Sequence, residues 1–294
     1  MWDHEAYRAK AQAYFTRAGR NPNGDEFIVW SILGVELLAR AALAKVSPVL
    51  NAAMDGPSIL DSLGYPDPNG KQAKSVPMHT VLARLPVVVE EFTPDRVAEF
   101  EYLMELRNAE LHTAVVRLDE PVSNWLPKLV RAIAPLATHL GVTVGTLLGE
   151  EVAELGQSYV DADDKKVLQD VRTRINAARQ FWDRLTTDEQ TARLPQVRNA
   201  NNRRFQLCPA CKCVMTLQSS AIRSSPSYID EDGDRVTKVE YVVTGGVCQA
   251  CGLELGSTAE VRSAGLAQAF HEIEIEEAYV EREPEYVDDE YGND

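Results

Sequence analysis

Two pairs of cysteines and one arginine–histidine pair are the side chains whose spacing could do chemistry. Cys208-Pro-Ala-Cys211 and Cys248-Gln-Ala-Cys251 are CxxC pairs separated by 36 residues. Each pair can present two thiolates from one tight turn, and two facing turns complete a tetrahedral S4 site for zinc. Four thiolates leave no open coordination position, so zinc held there would be structural rather than catalytic. A redox dithiol is the rival reading of the same residues. Cys213 is the spare cysteine and could substitute for a neighbour as ligand. Gly252 follows the second pair where such a turn often needs positive φ, while Lys212 takes that place after the first.

The second candidate lies within residues 93–118, TPDRVAEFEYLMELRNAELHTAVVRL. Thr93 can cap a helix, Pro94 suits its first turn, and Asp95 sits where the helix dipole favours negative charge. On a helical wheel Phe100, Met104, Leu111, Ala114 and Leu118 gather into one apolar stripe, with Arg107 in its middle. Asn108 and His112 lie at its edge, and Arg107 and His112 are roughly 140° apart. A cation on a core-facing stripe costs several kcal/mol unless it is paired or reaches solvent. Singly, Arg107 could snorkel or pair with a buried acid, beside an ordinary half-buried His112. Together, with Asn108 one turn before the histidine, they look like a site at a surface the helix shares with a partner.

The run RNAELH at 107–112, late in a helix of an all-α region, resembles the signature of HEPN-superfamily domains. The preceding helix, VWSILGVELLARAALAKVSPVL, is similar to the second helix of such domains, and the resemblance covers roughly residues 1–155. It implies a helical bundle, metal-independent endoribonuclease activity on RNA, and a homodimer whose two signature helices face one groove. Carried over, His112 would act as general base or acid around the attacking 2′-hydroxyl and the leaving oxygen. An imidazole, with its ordinary pKa of about 6.5, suits both proton roles. Arg107 would hold the scissile phosphate and stabilise charge on its oxygens, and Asn108 would orient the imidazole or a phosphate oxygen. No catalytic metal is expected. The family also implies antiviral defence or a toxin–antitoxin system, with an antitoxin or another defence protein as partner. A non-catalytic HEPN-like binding module, or a silent regulatory subunit, is the competing function.

The elements that must position these groups read as a mainly α chain with a small β module. Helices are expected at 3–18, 25–46 (buried face Phe27, Trp30, Leu33, Leu37 and Ala41), 93–118 and 122–140, with further helix over 142–155. Pro135 should kink the helix at 122–140. Glu36 could pair with Arg107 across the bundle or be a plain surface acid. Residues 51–77 form a long loop with a short helix at 58–63, which could fold over the site or guard an interface. His79 reads as structural and His139 as incidental. Asp161 or Asp163 can cap a helix running to about residue 185. The basic linker at 193–204 carries Arg193, Arg198, Arg203 and Arg204, which could touch RNA phosphates or simply be solvated. The segment between the cysteine pairs alternates like strands, with Val239, Tyr241 and Val243 on one face and a hairpin turn at 230–234. It resembles a zinc ribbon with an extended hairpin. A helix is expected from 258 to 277, then a disordered acidic tail. The domains are therefore placed at 1–155, 156–204, 205–257 and 258–294.

Net charge bounds the function further. The chain of 294 residues carries −15, and residues 271–294 hold eleven acids against one arginine, leaving −5 on the other 270. RNA contact must then be local rather than spread over a phosphate-seeking surface. The N-terminus lacks a signal-peptide layout, and the apolar run at 27–44 is interrupted by Glu36 and Arg40. Clustered cysteines suit a reducing compartment. A cytoplasmic protein without membrane association is the expectation.

Overall fold

The computed structural model describes residues 2–22, 24, 26–114, 116–117, 119–194 and 205–276. Arg198, Arg203, Arg204 and the acidic tail therefore lie outside the described residues. The chain forms a mainly helical N-terminal body followed by a small antiparallel sheet that carries the four paired cysteines.

The body is built around one central helix. α1 (His4–Gly19) and α2 (Glu26–Val46) form an antiparallel pair. They approach so closely that a Cβ at Gly34 would lie 2.6 Å from the Phe15 ring. A short 3-10 turn (Pro48–Asn51) and α3 (Gly56–Ser62) lead to α4 (Met78–Val88). α5 (Pro94–His112) and α6 (Val122–Leu140) then close over α2, Phe27 meeting Trp125 edge-on at 5.0 Å. α2 passes for a membrane span by length and hydropathy, yet 67% of that window is buried inside the body. Its buried residues include Ile28, Ile32, Val35, Leu38 and Ala42, whereas Trp30, Leu33 and Leu37 are only partly covered. The expected face was too narrow because neighbours pack around most of the helix, not one side of it. α6 runs unbroken through Pro127 and Pro135.

α7 (Val144–Leu148) is a single turn or so, and α8 (Glu150–Arg184) is one helix of 35 residues. Asp161 and Asp163 do not cap a new helix; they lie mid-helix, Asp161 accepting from Gln157 and Asp163 facing Arg131. Side chains with tertiary partners need no terminus, and the local capping signal loses to them. α8 joins two cores. Val152 and Val160 belong to the helical body, while Val171 and Ala178 pack with Cys208, Met215, Val243 and Leu255 of the sheet. α9 (Thr187–Ala192) follows, and Arg193 stacks over Phe181 at 5.0 Å.

The sheet comprises β1 (Phe205–Leu207), β2 (Val214–Ser224), β3 (Tyr228–Ile229), β4 (Arg235–Val247), β5 (Glu254–Leu255) and β6 (Ala269–Glu276). β2 and β4 pair over most of their lengths, Thr216 opposite Val247 and Ser224 opposite Val239, which is the extended hairpin expected between the cysteine pairs. Asp230 and Asp234 close the turn before β4. The helix expected over 258–277 is corrected: α10 (Thr258–Ser263) is short, and 269–276 is a strand paired with β4. The alternating run AFHEIEIE has period two, and the open side of β4 takes it up.

Candidate functional site

Both cysteine turns have the same backbone frame. Lys212 N–H donates to Cys208 O and Cys208 N–H to Cys213 O; Gly252 N–H donates to Cys248 O and Cys248 N–H to Leu253 O. Lys212 adopts φ 63° and Gly252 φ 77°, so the lysine takes the left-handed conformation in place of glycine. The four sulfur atoms of Cys208, Cys211, Cys248 and Cys251 all lie within 4.8 Å of one another. The Cys208–Cys251 and Cys211–Cys248 separations are 3.6 and 3.5 Å. Tetrahedral zinc with Zn–S of about 2.3 Å requires S···S edges of about 3.8 Å, so the donor set fits a zinc ion closely. None of the described cysteines forms a disulfide. The hydrogen bond with Cys248, then burial, pushes the Cys208 thiol up, and burial pushes Cys251 up to about 12. Four such groups hold their protons until a dication displaces them. Cys213 stands outside the cluster, its thiol directed at the Cys211 carbonyl.

The second site is at the C-terminal end of α5. The helix closes at His112, with Thr113 N–H donating to Ala109 O. The apolar stripe therefore ends at Leu106: Phe100, Leu103, Met104 and Leu106 are buried, Leu111 is 54% exposed and Ala114 is exposed. Arg107 is not an orphan cation. Its Nε and Nη2 donate to Glu36 Oε1 at 2.9 and 2.6 Å, and its Nη1 donates to Asn108 Oδ1 at 2.8 Å. Glu36 on α2 is thus its partner, and both side chains are largely buried. A guanidinium has five N–H donors, so two remain for another ligand. Asn108 addresses Arg107, not His112. His112 is exposed, and no hydrogen bond joins it to Arg107, Asn108 or Glu36. His79 is exposed in the first turn of α4, and His139 is half-buried at the end of α6.

The sequence reading missed a third cluster, where the first turns of α5 meet α6, α8 and α10. Arg131 reaches Glu99 at 3.6 Å, Asp163 at 3.4 Å and Asp164 at 2.8 Å. Arg96 Nε stands 3.0 Å from Glu99 Oε2, out of line for a hydrogen bond, so that buried oxygen is charge-paired but not hydrogen-bonded. Burial pushes the Glu99 carboxyl up to about 7 against the pull of Arg96 and Arg131. The folded protein thus keeps a proton that the unfolded chain has lost above its ordinary value of 4.5. Stability contributed by that proton falls between pH 4.5 and 7 and is gone above about 7. Glu99→Gln should flatten this slope and melt above wild type at pH 8, by at most about 3 kcal/mol. Urea titrations at pH 5 and 8 read both effects; an unchanged slope would refute the assignment. No local motif marks these residues, because they come from separate helices. No family model matches the chain, and neither does any curated protein or solved structure.

Proposed function

We propose that this protein is a metal-independent endoribonuclease of HEPN type, stapled by a structural zinc ion in a ribbon-like C-terminal module. What supports the reading is Arg107, fixed by Glu36 and Asn108 with two N–H donors to spare, one turn before an exposed His112. In the reaction, the RNA 2′-oxygen attacks the adjacent phosphorus and the bond to the 5′-oxygen breaks. One imidazole takes the 2′-hydroxyl proton and the other copy's imidazole supplies one to the leaving 5′-oxygen. The products are a 2′,3′-cyclic phosphate and a 5′-hydroxyl. Arg107 neutralises charge on the non-bridging oxygens. Leu111 and Val116, 54% and 66% exposed beside His112, offer an apolar rim for a second copy. A role in antiviral defence or a toxin–antitoxin system rests on the family likeness alone.

The test is incubation of the zinc-loaded protein with structured and unstructured RNA, with no added divalent cation. Cyclic phosphate ends are the expected product, and intact RNA would overturn the reading. Sedimentation should find a dimer at working concentrations; an active strict monomer would refute the shared groove. The Arg107–Glu36 pair also suits a bundle that only packs and binds, and the variants discussed below separate that reading from the enzyme.

A further inference from the structure

The charged cluster lines a cleft of about 540 Å³ between α5, α6, α8 and α10. A second chamber of about 510 Å³ shares Asp95, Arg96, Arg131 and Arg262 with it as a common wall, and is otherwise walled by apolar side chains including Pro135, Val160, Ile222 and Val242. Such volumes fall in the range of small-molecule sites, about 300–1,000 Å³.

Depth sorts the charges. Arg96 and Arg131 are 19% and 17% exposed, whereas Asp163 and Asp164 stand 47% exposed at the mouth. Arg262, 56% exposed, faces Asp164 from α10 at a loose 3.9 Å. Of the deep acids, Asp95 is engaged with α10, accepting from the Thr258 hydroxyl and from the Thr258 and Ala259 backbone. Glu99 alone answers both deep guanidiniums. Among the described residues none hydrogen-bonds to either Nη of Arg96, and Arg131 and Arg262 crowd it with like charge. Buried guanidiniums with unspent forks are the groups that grip a phosphate in two-pronged fashion.

We propose that this cleft binds a small di- or triphosphate, held by Arg96, Arg131 and Arg262, with any organic portion of the ligand in the adjoining apolar chamber. Asp163 and Asp164 act as the competitors that the phosphate displaces from Arg131. The ligand can be a nucleotide or an inorganic polyphosphate, since the grip is on the phosphates. The site holds whether or not His112 cleaves RNA.

Calorimetry and thermal shift on the zinc-loaded full chain, in magnesium-free buffer, test it with pyrophosphate and ATP against chloride at equal ionic strength. One anion per chain should bind and raise the melting temperature. Arg262→Ala, a mostly exposed position, should weaken binding about tenfold. Asp164→Asn should tighten it several-fold, because Arg131 loses a competitor. ATP binding better than pyrophosphate places a nucleotide across both chambers; equal binding assigns the grip to phosphate alone, and the anion site stands in either case. Failure of both anions to bind overturns the proposal. So does a cleft that takes up spermidine instead and loses it on Asp164→Asn, since that sign belongs to a cation site.

Discussion

Replacing Cys251 with serine, or removing the metal with a strong chelator, is expected to unfold the C-terminal sheet while the helical body stays folded. The sheet's own core is small: Met215, Leu217, Val243, Leu253, Leu255 and Val261 close on the four sulfurs and on one face of α8. Structural zinc contributes about 10–16 kcal/mol in small modules near neutral pH, more than a core of this size can replace. The helical body uses no cysteine, and its largest buried side chains include Trp125, Phe15, Phe92 and Phe100. Hydrogen exchange should therefore lose protection along β4 while the α2 amides keep theirs. Metal analysis should fall from about one zinc per chain to none. A Cys208→Ser protein with full metal content and full stability would remove the metal centre from the account.

His112→Ala is expected to abolish RNA cleavage, by about 10²–10⁴-fold, without moving the melting temperature. The side chain is exposed and ends its helix, so truncation leaves no cavity. Arg107→Ala should cost about 10²–10³-fold through lost charge stabilisation. It also leaves Glu36 unpaired in a largely buried position, so its stability will fall as well. Glu36→Gln is the control: it relaxes the grip on Arg107 without deleting the guanidinium, and should slow cleavage by far less than either alanine. If all the variants cleave like wild type, the activity belongs elsewhere. If none cleaves, wild type included, while RNA or protein binding survives, the bundle is a binding module.

Much of this architecture could be read from local pattern. The two CxxC turns announced a four-sulfur site, and the turn at 230–234 announced the hairpin between them. The helix at 122–140 was bounded correctly, with Gly141 in the left-handed region as its stop. What stayed hidden depended on partners distant in sequence. A helical wheel cannot say where a helix ends, so Leu111 and Ala114 were assigned to a stripe that stops at Leu106. The acidic alternation of 269–276 suited an exposed helix until β4 supplied an edge. Glu36 was one of two open readings, and its partner lies 71 residues away. Glu99 and Arg131 show no local pattern, because their meaning comes from the packing of α5 on α6 and α8.

α8 has a practical consequence for anyone dissecting this molecule. It is a single rod shared by two cores, and a cut at residue 155 would leave Tyr159 and Val160 on the wrong fragment. Moving the cut past Val171 or Ala178 would instead denude the metal-bearing half. Neither half has autonomy as a truncation product, so the ends of this protein should be studied through point substitutions in the intact chain.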